Sequence, residues 1–159
     1  MSIVHLKFYE PSFKKELTYQ LPENQHSFTA LPTEALMRIS QRKDQHAYPI
    51  VIFLDEKIIG FFVLDFGEDK LLYSLNPNAL LVRSLSINPN YQQKGLGLNA
   101  MKEIIPLVKT YFPIVNELVL GVNFNNTSAY QFYKKIGYQD EGNIFVGPKG
   151  KQHILTLKF

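Results

Sequence analysis

An α+β fold, with a mixed and mostly antiparallel central sheet flanked by helices, is predicted by three observations. Short apolar runs rich in β-branched and aromatic residues alternate with segments at helical spacing, in the order β-α-α-β-β-β-α-β-α-β-β. Two pairs of runs are joined by tight turn sequences, Asp55-Glu56-Lys57 and Gly147-Pro148-Lys149-Gly150, which predicts antiparallel hairpins. The 159 residues, 45% hydrophobic and 19% charged, suffice for one buried core, and no stretch is long or flexible enough to divide them, so residues 1–159 are expected to form a single domain.

Each element has a local reason. Ile3–Tyr9 reads as a strand stopped by Pro11, and helical patterns follow at Ser12–Tyr19 and Glu34–Arg42 between polar, proline-containing linkers. Pro49–Leu54 and Ile58–Leu64 pair as the first hairpin, and a loop containing Gly67 and Pro77 leads to a long strand over Ala79–Ile87. Asn88-Pro89-Asn90 ends that strand, because proline donates nothing to a ladder. A helix then opens near Gly95–Leu98, with Met101, Ile104, Ile105, Val108, Tyr111 and Phe112 on one stripe. Pro106 is expected to kink or shorten it. Asn116–Val122 is the next strand and Asn126–Ile136 the next helix, closed by Gly137. Asp140–Val146 and Gln152–Leu157 form the final hairpin.

Several function classes fall away. The chain has no cysteine, so disulfides, thiolate metal sites and a cysteine nucleophile are excluded. His5, His26, His46 and His153 are scattered without ligand spacing, and no metal is expected. A net charge of +3, from 17 basic and 14 acidic residues, permits an anionic ligand without demanding nucleic acid. The opening residues lack a basic-then-apolar leader pattern, and no apolar stretch approaches the ~20 residues of a membrane span, so the expected location is cytoplasmic, away from membranes.

The chemistry concentrates in Leu85-Ser86-Ile87-Asn88-Pro89-Asn90-Tyr91-Gln92-Gln93-Lys94-Gly95-Leu96-Gly97-Leu98. Here Gln92-x-x-Gly95-x-Gly97 stands where a strand ends and a helix begins. Unpaired N–H groups and the positive end of the helix dipole bind phosphate at such a point. Glycines 95 and 97 let main chain approach an anion closely, and Lys94 adds a point charge. The ligand suggested is a pyrophosphate. A P-loop is excluded, since no Gly-Lys-Ser/Thr has the required spacing. Gly95-x-Gly97-x-x-Ala100 also satisfies a dinucleotide fingerprint, although the unit lies mid-chain after antiparallel strands and the following strand does not end in an acid. A plain turn capping a helix is the remaining alternative.

The run resembles motif A of the GNAT superfamily of acyl-CoA N-acetyltransferases, Q/R-x-x-G-x-G/A after an Asn/Asp-Pro turn. Asn125-Asn126-Thr127-Ser128-Ala129-Tyr130-Gln131-Phe132-Tyr133-Lys134-Lys135-Ile136-Gly137-Tyr138 is similar to motif B, N-x-x-A-x-x-x-Y-x-K-x-G-F/Y. The resemblance covers residues 48–146 most closely and implies acetyl-CoA as co-substrate, with no metal. It implies that the strand before motif A splays from its neighbour to form the acyl-CoA cleft, with Leu85, Ser86 and Ile87 pairing to the pantetheine amides as an added strand would. It implies that the N–H groups of Gln92, Gln93, Lys94, Gly95, Leu96, Gly97 and Leu98 hold the pyrophosphate, and that Asn126 caps its helix and reaches the coenzyme arm. Tyr133 is implied as the general acid for the departing thiolate, with small Ala129 on the same helix face, and the Ile87 N–H as the oxyanion donor.

The reaction implied is direct attack of a neutral primary amine on the acetyl thioester, without a covalent enzyme intermediate. A small polyamine-like amine is the expected acceptor, provided that the acids of Asp65-Phe66-Gly67-Glu68-Asp69 and Asp140-Glu141 gather in space. A protein N-terminus or lysine, and a non-catalytic acyl-CoA sensor, are the alternatives. Arg83-Ser84-Leu85-Ser86 contains no acid where many relatives carry a base; Glu56, Asp65 and His46 are the substitutes considered, and none is assigned. A homodimer is left open.

Overall fold

β-Branched and aromatic runs make up most of the sheet, and the computed structural model describes residues 2–159. Val4–Phe8 (β1), Ala47–Leu54 (β2), Lys57–Asp65 (β3), Ala79–Ile87 (β4), Glu117–Asn123 (β5), Gln139–Gly147 (β6) and Gly150–Lys158 (β7) form one seven-stranded sheet in the order β1-β2-β3-β4-β5-β7-β6. Every neighbouring pair is antiparallel except β4 and β5. The helices are Glu23–His26 (α1), Pro32–Ser40 (α2), Leu96–Tyr111 (α3) and Thr127–Lys135 (α4).

Side chains alternate across the sheet, so each face has its own core. Ile50, Ile52, Phe62, Leu64, Leu80 and Val82 point to the face covered by α3, whose Ala100, Met101, Ile104 and Val108 complete the larger cluster. Val51, Phe53, Phe61 and Val63 point the other way, against Leu17, Ala30 and Ala35 of the N-terminal region. The N-terminal segment thus closes the face opposite α3.

Three sequence expectations are corrected. The pattern at Ser12–Tyr19 is a 3-10 helix over Pro11–Leu17, and the linker after Leu21-Pro22 contains α1. Pro106 does not shorten α3, which continues to Tyr111. Pro106 lies on the solvent side of the helix, between turns anchored by buried Ile104 and Val108, so packing on both sides outweighs one missing N–H.

Two features position the site. β4 and β5 pair only at Ala79↔Glu117, Leu80↔Leu118 and Leu81↔Val119, so the remainder of β4, out to Ile87, diverges from β5 and leaves a gap in the sheet. β4 also carries a bulge: Phe61 faces Ser86 and Val63 faces Arg83, leaving Ser84 and Leu85 together opposite Phe62. Ser84 adopts φ +61° there. The extra residue shifts the side-chain parity, so that Leu85 and Ile87 join the α3-side core while Ser86 turns to the N-terminal face.

Candidate active site at the β4–β5 gap

The main chain at the end of β4 can be assigned from the ladder. Groups on an antiparallel strand alternate between its two neighbours. The bonds Phe66 N–H to His46 O (2.9 Å) and Asn88 N–H to Ile59 O (2.7 Å) fix the phase of β3. Phe61 and Val63 therefore bond to Ser86 and Arg83, while Gly60 and Phe62 turn to β2. Ile87 and the Ser84–Leu85 bulge are consequently unpaired by β3, and the Ile87 N–H faces the gap. Ser86 differs from its neighbours: its main chain is engaged with Phe61, and its buried hydroxyl pairs with Tyr19 Oη at 2.7 Å. Of the three strand residues expected to meet an extended ligand, only Leu85 and Ile87 have main chain on the open side, and the Leu85 carbonyl accepts from Thr29 Oγ1 at 3.3 Å.

Beyond β4 the chain makes a tight turn. Asn88 Oδ1 accepts from the Asn90 N–H at 3.0 Å, and Pro89 opens a single 3-10 turn. Gln92 then closes the loop on itself: its Nε2 donates to the Ile87 carbonyl (2.8 Å), and it exchanges two bonds of 2.9 Å with Gln25 of α1. Its N–H donates to the Pro89 carbonyl, so the side chain and the amide of Gln92 both serve the turn. From Gln93 onward the situation reverses. No N–H of residues 93–98 donates to a protein acceptor among the described residues; the first bond of α3 is Asn99 N–H to Gly95 O. Gln93 (φ +63°) and Gly95 (φ +75°) are left-handed, which curls successive amides into an anion-binding nest at the positive end of a 16-residue helix. Lys94 is exposed beside them.

Gly97 stands at the inner lip of this nest. A Cβ there would point at Ile87 Cγ1 (3.8 Å) and Phe132 Cζ (4.0 Å), into the space between β4 and α4. A Cβ there would make ordinary contacts, so it is a larger side chain that Gly97 keeps from the junction of β4 and α4. Gly95, whose own Cβ would meet nothing, is required by its φ instead.

α4 supplies the other wall, and motif B has a plain mechanical content here. Asn126 Oδ1 caps the helix by accepting from the Ala129 N–H at 3.3 Å. At the other end Gly137 N–H bonds Lys134 O (3.2 Å) and Tyr138 N–H bonds Tyr133 O (3.0 Å), which is a Schellman closure. Its accompanying apolar contact is Tyr138 against Tyr133, edge to face at 5.4 Å, and Phe132 crosses Tyr133 at 5.1 Å. The Tyr133 ring is thereby locked and buried. Burial pushes its phenol well above the usual tyrosine range, so it stays protonated. Its hydroxyl bonds to no protein group among the described residues. The phenol is thus a neutral hydrogen-bond donor with no protein acceptor.

The substitutes considered for a base are elsewhere. Glu56 lies in the exposed β2–β3 turn and His46 in the exposed approach to β2. Asp65 is fully buried: desolvation opposes its charge, but the paired Arg42 guanidinium (2.6 and 3.1 Å), the Gly67 N–H (2.9 Å) and the nearby charge of Arg83 hold its carboxyl below the usual range. The two acidic runs do not meet: Asp65 and Asp69 converge on Arg83 Nη1, while Asp140 and Glu141 lie on β6 at the edge of the sheet. Asp65 and Asp69 are paired with arginines, Asp140 accepts from Tyr130 at 2.8 Å, and Glu141 pairs with Lys158 at 3.2 Å.

The sequence matches the Acetyltransferase (GNAT) family over residues 12–138. The chain belongs to that family. It is also 38% identical, over 154 residues covering 96% of this chain and 95% of the relative, to an uncharacterized N-acetyltransferase, YbbJ, of Bacillus subtilis (strain 168). Two solved structures share the fold across 98% of this GNAT chain. One is the aminoglycoside acetyltransferase AAC(6')-Ib in complex with coenzyme A and kanamycin (17% identity, 95% of that chain, TM-score 0.77). The other is spermidine N-acetyltransferase from Vibrio cholerae in complex with CoA and spermine (14% identity, 95% of that chain, TM-score 0.70). The GNAT assignment accounts for the otherwise odd combination of a splayed parallel pair and an uncapped helix, and it removes the dinucleotide-fold alternative. Sequence reading missed the Tyr19–Ser86 and Gln25–Gln92 pairs, each joining residues 67 positions apart, for which no local pattern exists.

Proposed function

We propose that this GNAT N-acetyltransferase transfers the acetyl group of acetyl-CoA to the primary amine of a small molecule, by direct attack and without a covalent enzyme intermediate. The observation that carries the reading is the run of free N–H groups at residues 93–98, opening beside the β4–β5 gap. Its chemistry suits a diphosphate, and Gly97 within it lies beside Ile87 of β4 and Phe132 of α4.

When bound, acetyl-CoA supplies an activated acyl carbon on a thiol leaving group. The amides of Gln93, Lys94, Gly95, Leu96, Gly97 and Leu98 hold the diphosphate. Gln92 holds the turn in shape through its side chain. Leu85 and Ile87 line the extended arm, and Ala129 leaves room for it on the α4 side. The Ile87 N–H donates to the acetyl oxygen as it gains charge. Tyr133 delivers a proton to sulfur, and Asn126 sets the start of the helix that carries it. The acceptor approaches from the N-terminal face as the free amine and loses its proton to water.

Thermal denaturation with and without acetyl-CoA, beside NADH, tests the binding half, because a ligand of the native state raises its stability by mass action. Release of free thiol from acetyl-CoA over a panel of primary amines tests the chemistry. Stabilisation by acetyl-CoA alone and amine-dependent thiol release are expected. Stabilisation by NADH, or no response to acetyl-CoA, would overturn the reading.

A further inference from the structure

A small cleft opens on the N-terminal face of the sheet, directly beside the β4 bulge. Its volume is about 130 Å³, and Ser84 of the bulge shares its wall with Arg38 and Arg42 of the α2 end and with Asp65, Asp69 and Arg83 of the sheet side. Its position follows from the parity shift at Ser84: the residues before Leu85 present their polar side chains away from α3, where an acceptor must approach a thioester held from the α3 side.

The charges of this wall are not interchangeable. Arg42 is saturated, with Nε, Nη1 and Nη2 all bonded to Asp44 or Asp65. Asp65 is saturated in turn. Arg83 uses only Nη1, toward Asp65 (3.2 Å) and Asp69 (2.8 Å), leaving its Nη2 and Nε donors free of protein partners. Arg38, exposed in the last turn of α2, forms no ion pair and donates no side-chain hydrogen bond among the described residues. Three arginines and two aspartates line the cleft, and Asp44 behind Arg42 balances the third arginine. The spare capacity is all on the donor side except for one oxygen of Asp69. Free guanidinium donors suit a carboxylate, which they can grip through more than one N–H.

We propose that the acceptor is an amino acid or amino-acid-like molecule, whose carboxylate docks on Arg38 and the free donors of Arg83 while its amine faces the gap beside Ser84. This rests on the acetyl-transfer reading above and names its substrate class. The size of the cleft supports a small molecule, since a cavity of ~150 Å³ accommodates a benzene ring. The exchange balances simply: the amine nitrogen forms a bond to the acyl carbon, the carbon–sulfur bond breaks, the nitrogen gives a proton to water and sulfur takes one from Tyr133, which is reprotonated by solvent. The products are the N-acetyl amino acid and free coenzyme A.

The test measures thiol release from acetyl-CoA with matched acceptors: α- and ω-amino acids, each beside its carboxamide and a diamine of equal chain length. At least one amino acid is expected to exceed its carboxamide about tenfold in kcat/KM, the worth of a charge-assisted hydrogen bond. Arg38→Gln should remove that preference by raising KM for the amino acid, and Arg38→Lys should restore part of it. Preference for the diamine at every length, preference for an acidic peptide over every free amino acid, or an acid-to-amide ratio untouched in Arg38→Gln would overturn the proposal. If acetyl-CoA stabilises the protein but no amino acid is acetylated, the substrate class fails alone. If acetyl-CoA neither stabilises it nor is consumed, the acetyl-transfer reading fails with it.

Discussion

Two helices begin at the open end of this sheet, and they begin differently. α4 starts from Asn126, whose side chain caps the Ala129 N–H, as the start of a solvent-facing helix usually does. α3 starts from left-handed Gly95, with no side-chain cap and a run of amides that serve nothing in the protein. The difference is one of supply: α4 spends a side chain on its first turn, whereas α3 leaves the amides of its start open beside a gap in the sheet. Substitutions at the two helices should therefore separate stability from binding and chemistry.

The largest effect expected is on α4, away from its cap. Tyr133→Phe should lower kcat about a hundredfold or more, the usual worth of a positioned general acid, with stability and the acetyl-CoA-induced thermal shift retained. Retention follows because the hydroxyl bonds to no protein group. Since burial holds the phenol above the ordinary tyrosine range, kcat/KM should rise with pH as the acceptor amine deprotonates, with no fall below about pH 10. A descending limb well below that pH in the wild type, absent in the mutant, would show that Tyr133 is not kept protonated.

Next in size is Gly97→Leu. A bulky side chain beside Ile87 and Phe132 should remove the stabilisation by acetyl-CoA, about 2.7 kcal/mol at a hundred times Kd, while the free protein unfolds in urea near the wild-type midpoint. Gly95→Ala should instead destabilise the free protein by about 1–2 kcal/mol, because φ +75° is strained for any side chain. Smallest is Asn126→Ala, about 1 kcal/mol of stability from the lost cap, with the acetyl-CoA thermal shift reduced less than in Gly97→Leu. If Asn126→Ala abolished the shift and Gly97→Leu spared it, the contrast between the two helix mouths would be reversed.

Much of this contrast was legible in the sequence because its parts are local. Glycines two apart after a strand and a proline turn predict an open helix mouth, and Asn126 before an amphipathic stretch predicts a capped one. The Gly137-Tyr138 ending of motif B is local too, since the closure at Lys134 and Tyr133 needs only a residue tolerant of positive φ and an aromatic after it. What was not legible arises from pairing across the fold. Arg83-Ser84-Leu85-Ser86 contains no glycine or proline to mark a bulge, and only the registers of Phe61 and Val63 reveal it. Arg42 and Asp65 lie 23 residues apart, in segments that read separately as a helix end and a strand end. The shortening expected at Pro106 does not occur, because its local penalty is visible in sequence and the packing of Ile104 and Val108 is not.

The two residues opposite Phe62 carry a further consequence. The main-chain aim of Leu85 and Ile87 is imposed by Phe61 and Val63, both buried in the opposite core, and so is complete as soon as the chain has folded. A ligand arriving at the cleft finds its hydrogen-bonding edge already frozen, and most of the ordering cost of association falls on the ligand itself. Deleting Ser84 alone should rotate that edge by half a turn of the pleat, leaving a folded protein whose cleft presents the wrong groups to everything that enters it.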